Sequence, residues 1–119
     1  MRVLYVDDEP DIREIADLAL SLDRDFEVRT ASSGMEALHI IEQWLPDVAL
    51  FDVMMPEMDG PSLLSHVRQT STAAALPVIF VTARAQRSDM QNFAMLDAIG
   101  VIAKPFDPMT LAQRVRELL

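Results

Sequence analysis

Apolar residues fall along the chain in two alternating rhythms. Nearly unbroken apolar runs occupy positions 3–6, 48–51, 77–81 and 99–103. Runs of that length predict strands buried on both faces. Phe26-Glu-Val-Arg-Thr30 instead alternates apolar with polar, which predicts a strand with one wet face at an edge of the sheet. Between these runs the apolar residues recur at helical spacing. Pro10 suits the first position of a helix, where its missing N–H would have no partner anyway, and Ile12, Ile15, Ala16, Ala19 and Leu22 share one stripe behind it. Ser33 and Glu36 have capping-box spacing, and Ala37, Leu38, Ile41 and Leu45 predict the buried side of a second helix, ended by Pro46-Asp47. Pro61 opens a third helix with Leu63, Leu64 and Val67 inward, and a fourth is predicted between Gln86 and Asp97 with Met90, Phe93 and Ala94 inward. Asp107 as cap and Pro108 at the first position predict a fifth, with Leu111, Val115 and Leu118 inward.

Five strands alternating with five helices over short connections predict right-handed crossovers and a parallel sheet covered on both faces. Residues 1–119 are expected to form a single α/β domain of common size. In such a sheet the ligand crevice lies beyond the carboxyl ends of the strands. The residues that directly follow strands one, three, four and five come out on that rim: Asp7 and Asp8, Asp52, Thr82 and Lys104.

Charge and composition narrow the chemistry. Nineteen acidic against ten basic residues give a net charge of -9, with no lysine-arginine run, which argues against nucleic acid or an anionic membrane as a direct partner. A cation or a cationic partner suits the balance better. The absence of cysteine excludes disulfides and thiolate metal sites and is compatible with a reducing compartment. No apolar run is long enough to span a membrane and no signal peptide opens the chain, so a soluble, cytoplasmic protein is expected.

Taken singly, the rim residues have structural explanations: paired acids favour a helix start, Thr82 could cap, and Lys104 could be a surface lysine. Taken together they do not, because three carboxylates converging on one edge repel each other enough to require a cation. Hard oxygen ligands without His or Cys select Mg²⁺, with Mn²⁺ as an alternative. A Mg²⁺ half-coordinated by carboxylates takes phosphate oxygens as its remaining ligands, and a lysine and a hydroxyl facing it can hold the others. With Asp52 as a carboxylate nucleophile, such a site can accept a phosphoryl group as an acyl phosphate.

At these positions the sequence resembles the receiver domains of two-component response regulators along its whole length. The matching segments are Val6-Asp7-Asp8-Glu9-Pro10, Asp52-Val-Met-Met-Pro-Glu-Met-Asp-Gly60, Thr82-Ala83 and Lys104-Pro105-Phe106, in the family's order and spacing. The resemblance implies a flavodoxin-like (βα)5 doubly wound sheet of order 2-1-3-4-5, similar to the chemotaxis receiver. It implies that Asp52 is the phosphoacceptor, and that Asp8, Asp52 and the backbone carbonyl of Met54 ligate Mg²⁺ directly, with Asp7 acting through water. Lys104 then pairs with Asp52 and its phosphate, Thr82 is the switch hydroxyl, and the Lys104-Pro105 peptide is cis. The implied phosphodonor is a sensor histidine kinase or a histidine phosphotransfer protein. The protein would assist its own modification and turn over no separate substrate, so it is not expected to be an enzyme. A homodimer through the face of the fourth and fifth helices is a further expectation.

Two positions bear on how such a switch works here. Val101 stands where most of the family carries an aromatic three residues before the lysine, and valine is stiff and too small to report by swinging. Output is therefore expected through backbone shifts from Ala83 to Arg87 and in the fourth helix. By resemblance, Met54 and Arg84 flank the path of the hydrolytic water, and an apolar Met54 predicts a long-lived phosphoryl state.

Two other functions fit parts of the pattern. A haloacid-dehalogenase-like aspartyl phosphatase would carry a second acid two residues after the nucleophile, where Met54 stands, and a cap insertion that this chain lacks. A receiver-like binding module that works without phosphorylation would not need all five site residues. His39 and His66 are expected on exposed helix positions, Met35, Met90 and Met95 as core gap fillers, and Trp44 as a semi-buried flank.

Overall fold

In a computed structural model of the chain, which describes residues 1–83 and 97–119, the five predicted strands and four of the predicted helices are found among the described residues. The elements are β1 (Arg2–Val6), α1 (Pro10–Leu20), β2 (Glu27–Ala31), α2 (Gly34–Gln43), β3 (Val48–Asp52), α3 (Gly60–Gln69), β4 (Val78–Thr82), β5 (Gly100–Ala103) and α4 (Leu111–Leu118). The helix expected between Gln86 and Asp97, with Met90, Phe93 and Ala94, lies outside the described residues apart from Asp97. The same holds for Arg84, for Met95 and for the fourth-helix part of the expected dimer face, whose fifth-helix part is α4.

All neighbouring strands pair in parallel, in the order β2-β1-β3-β4-β5. β3 and β4 are buried throughout, as their unbroken apolar runs require, and the alternating β2 lies at an edge. Side chains of successive strand residues point to opposite faces, so the core divides into two layers. On one face Leu4, Val6, Phe51 and Phe80 pack against Ala37 and Ile41 of α2 and Leu63, Leu64 and Val67 of α3. On the other, Val3, Tyr5, Leu50 and Val81 pack against Ala16, Ala19 and Leu20 of α1 and Leu111 and Val115 of α4.

Several helix details differ from expectation. Leu20, not Leu22, completes the buried stripe of α1, because the helix stops at Leu20 and Leu22 falls beyond it, exposed. Ile15 is also largely exposed. In α2, Ser33 caps as predicted by accepting the Glu36 N–H at 3.1 Å, but the Glu36 carboxylate turns to the Ser32 hydroxyl instead of closing the box. The α2 helix ends at Gln43 and Trp44 takes a non-helical conformation, which turns Trp44 inward and leaves Leu45 exposed. The indole is buried, with the guanidinium carbons of Arg2 and Arg29 at 5.3 and 4.7 Å from its ring centroid, so Trp44 is a core residue and not a flank. Met35 is exposed and fills no gap. Asp107 caps a turn and not the helix itself: its carboxylate accepts the Met109 N–H at 2.9 Å, and α4 begins only at Leu111.

Candidate functional site

The parallel sheet sends the ends of β1, β3, β4 and β5 to one rim, and the local sequence sets each side chain there. Asp7 and Asp8 leave β1 just before Pro10 opens α1. Asp7 is fully buried, and one of its oxygens, Oδ1, accepts the Glu9 N–H at 3.0 Å. Its backbone carbonyl accepts from the Arg13 guanidinium at 2.9 Å, which ties the strand end to the first turn of α1. Asp52 is the last residue of β3 and is buried at 3% exposure, while Asp8 is accessible to solvent.

The loop after Asp52 is held close by Gly60. Its N–H donates to the Val53 carbonyl at 3.1 Å, and a Cβ at this position would lie 2.7 Å from the Asp52 carbonyl oxygen. Only glycine allows so near an approach. Asp59 caps α3 by accepting the Ser62 N–H at 2.8 Å, so helix and loop are fixed together. Thr82 ends β4, buried, and its carbonyl accepts the Lys104 N–H at 2.8 Å. The Lys104-Pro105 peptide is cis, as the resemblance implied.

Lys104 crosses the rim to the acids. Its Nζ lies 2.7 Å from Asp7 Oδ2 and 3.3 Å from Asp52 Oδ1. The pairing with Asp52 that the resemblance implies is present, and the shorter contact is to Asp7. Oxygens of Asp7, Asp8 and Asp52 all lie within 4.8 Å of one another, so the three acids gather as expected. Burial pushes the Asp52 carboxyl up to about 6 and the negative Asp7 adds to the rise, while Lys104 and the Met54 N–H offset part of it. For Lys104, burial acts against the ammonium, but the hydrogen bond and charge of Asp7, then those of Asp52, outweigh it and raise its pKa. A cluster of this kind is short of positive charge, and its oxygens are close enough for one divalent ion. The donor set fits Mg²⁺ or Mn²⁺, being all oxygen, with His39 and His66 exposed on α2 and α3 instead.

Tyr5 was missed. Its hydroxyl donates to Asp7 Oδ2 at 3.0 Å from a fully buried position. The available signal was strand parity, since residues 5 and 7 of an extended chain face the same way. Met54 has an exposed side chain, and Val101 is half-buried beside the core. Next to the acids, an apolar cleft of about 280 Å³ is lined by Ile12, Ile15, Ala83, Pro105, Phe106 and Pro108, with Lys104 at its edge. No helix among the described residues is long and apolar enough to cross a membrane.

Comparison with known proteins agrees with this geometry. The sequence profile of the family described as "Response regulator receiver domain" matches residues 3–116. "Probable transcriptional regulator ycf27" of Guillardia theta is 40% identical over 118 residues, covering 99% of this chain and 45% of that protein. "Response regulator Rre1" of Synechocystis sp. is 37% identical over 117 residues, covering 98% of this chain and 51% of that protein. The chain thus spans about half the length of these curated relatives. Among solved structures, the chemotaxis response regulator CheY4 of Vibrio cholerae superposes with a TM-score of 0.90 at 34% identity, covering 99% of this chain and 98% of that one.

Proposed function

The chain belongs to the response regulator receiver domain family, and from that premise we propose that Asp52 is its phosphoacceptor within a divalent-cation site formed by Asp7, Asp8, Asp52 and the Met54 carbonyl. The observation that carries this reading is the convergence of three carboxylates with Lys104 at the carboxyl ends of three strands. Bound Mg²⁺ would offset the mutual repulsion of the acids and the negative charge of an incoming phosphoryl group.

The chain's own residues supply the rest. An oxygen of Asp52 forms the new bond to phosphorus, and the bond from phosphorus to the donor breaks with its electron pair leaving on the donor. Lys104, already 3.3 Å from Asp52, reaches an oxygen of the transferred group as a charged donor. Thr82, at the end of β4, provides the hydroxyl that follows the phosphoryl oxygens and carries the change toward the segment after Ala83. The domain spans residues 1–119, acts in the cytoplasm and turns over no separate substrate. The apolar cleft at Ile12, Ile15 and Phe106 lies on the same rim and suits docking of the histidine-bearing helices of a kinase or phosphotransfer protein.

Incubation with acetyl phosphate tests this reading. Intact-mass measurement is expected to show one added phosphoryl group with Mg²⁺ present, and none with Mg²⁺ chelated or with Asp52→Asn. A wild-type chain that stays unmodified with Mg²⁺ present would support a module that works without phosphorylation.

A further inference from the structure

Tyr5 is a buried polar group that the proposed chemistry leaves without a task. Its neighbours are an all-apolar layer, yet its hydroxyl is aimed at the one fully buried carboxylate of the rim, 3.0 Å from Asp7 Oδ2. That same oxygen accepts from Lys104 Nζ at 2.7 Å. The ring is held edge-on to Phe106, with centroids 6.4 Å apart and planes at 74°, so the phenol is fixed in direction. Burial first, then the charges of Asp7, Asp52 and Glu9, keep the phenol protonated far above its ordinary range, so its O–H stays available to donate to Asp7.

We propose that Tyr5 is a positioning residue for phosphoryl transfer: its hydroxyl holds Asp7 Oδ2 in place and keeps that carboxylate hydrogen-bonded when Lys104 leaves it for the phosphoryl group on Asp52. The inference rests on the phosphoacceptor reading of Asp52 and deepens it. Lys104 has one ammonium and two demands on it. Before transfer it pairs with Asp7, and during transfer it must turn to the oxygens accumulating charge on phosphorus. Stripping the shorter of its two contacts from a carboxylate with no solvent exposure would leave Oδ2 without a donor, and a buried charged group so stranded is strongly unfavourable. Tyr5 prevents that, because its bond to Oδ2 does not depend on where Lys104 points. With acetyl phosphate as donor, Asp52 bonds to phosphorus while the bond from phosphorus to the acetyl oxygen breaks, and acetate departs with the electron pair. Tyr5 gains and loses no proton in the step.

Tyr5→Phe keeps the ring and removes only the hydroxyl. At saturating Mg²⁺ the rate constant for labelling by acetyl phosphate is expected to fall about tenfold or more, as loss of one hydrogen bond to a charged group implies. The deficit is expected to persist when Mg²⁺ saturates the site, because the step affected is the release of Lys104. A rate equal to wild type, or a deficit that vanishes when Mg²⁺ is raised to saturation, overturns the inference while leaving Asp52 as phosphoacceptor. Failure of the wild type to label overturns both. A second measurement needs no variant. In the wild-type protein, the Tyr5 hydroxyl proton resonance is expected to persist and move downfield when Mg²⁺ and the phosphoryl mimic beryllofluoride are added, as the Tyr5 bond to Oδ2 tightens once Lys104 no longer shares that oxygen. An unchanged or lost resonance counts against the role of Tyr5.

Discussion

Lys104 Nζ lies closer to Asp7 than to Asp52, 2.7 Å against 3.3 Å, and so spans the buried pair of acids as a shared counterion. Replacing it with Met would leave two buried carboxylates facing each other. Breaking a buried pair in this way is expected to destabilise the protein by roughly 3 kcal/mol at neutral pH. The folded-state pKa of Lys104 is raised above its ordinary 10.5, so the contribution is fully present at pH 7 and fades only as pH rises through the folded value. Denaturant melts of wild type and Lys104→Met, with and without Mg²⁺, check this: added Mg²⁺ is expected to recover part of the loss by binding the folded state.

Asp52→Asn is expected to do the opposite. The folded protein holds the Asp52 proton up to about pH 6, against an ordinary 3.8, so between those values it binds more protons than the unfolded chain. Stability then falls as pH rises through that window, and the ionised Asp52 weakens the metal-free fold at pH 7 by on the order of 1–3 kcal/mol. The Asn variant should be more stable than wild type by that order at pH 7, with the gain shrinking toward pH 4. Urea titrations across pH with chelator present measure it, and a gain independent of pH would contradict the assignment.

Gly60→Ala would place a Cβ 2.7 Å from the Asp52 carbonyl oxygen, a backbone atom that cannot swing aside. The expected result is a loss of about 1–3 kcal/mol, the usual range for overpacking, together with weaker Mg²⁺ binding because the strain falls on Asp52, the proposed phosphoacceptor. Calorimetric titration of Mg²⁺ into the variant reads the second effect directly.

Ile15 is a largely exposed apolar residue on the rim of the cleft beside Lys104. Ile15→Asp should leave labelling by acetyl phosphate within about twofold while slowing transfer from a phosphorylated histidine donor about tenfold or more, the size expected of an interface anchor. Parallel time courses with the two donors separate docking from chemistry.

The sheet was legible because its strands are solid apolar runs and because parallel order follows from their alternation with helices. The rim followed from the same topology, so Asp7, Asp8, Asp52, Thr82 and Lys104 could be placed together before any distance was known. Partner choice within the rim was not legible. The pairing of Lys104 with Asp52 that the resemblance implies is found, but the shorter contact to Asp7 is not foreseen, because sequence gives the side on which a residue emerges and not its reach. Tyr5 was hidden for a related reason, since a tyrosine in an apolar strand reads as core until its hydroxyl finds a buried acceptor. The helix ends failed locally. Trp44 and Leu45 are adjacent apolar residues, and which one turns inward is decided by where α2 stops. Asp107-Pro108 carries the signature of a helix start but closes a separate turn ahead of α4.

Chemical trapping of the acyl phosphate tests the central claim most directly. After reaction with acetyl phosphate and Mg²⁺, borohydride reduces a phosphorylated aspartate to homoserine, which peptide mass spectrometry can locate. Conversion confined to position 52, absent when Mg²⁺ is chelated, is the expected result. Homoserine at any other position, or labelling that survives Asp52→Asn, would contradict the account.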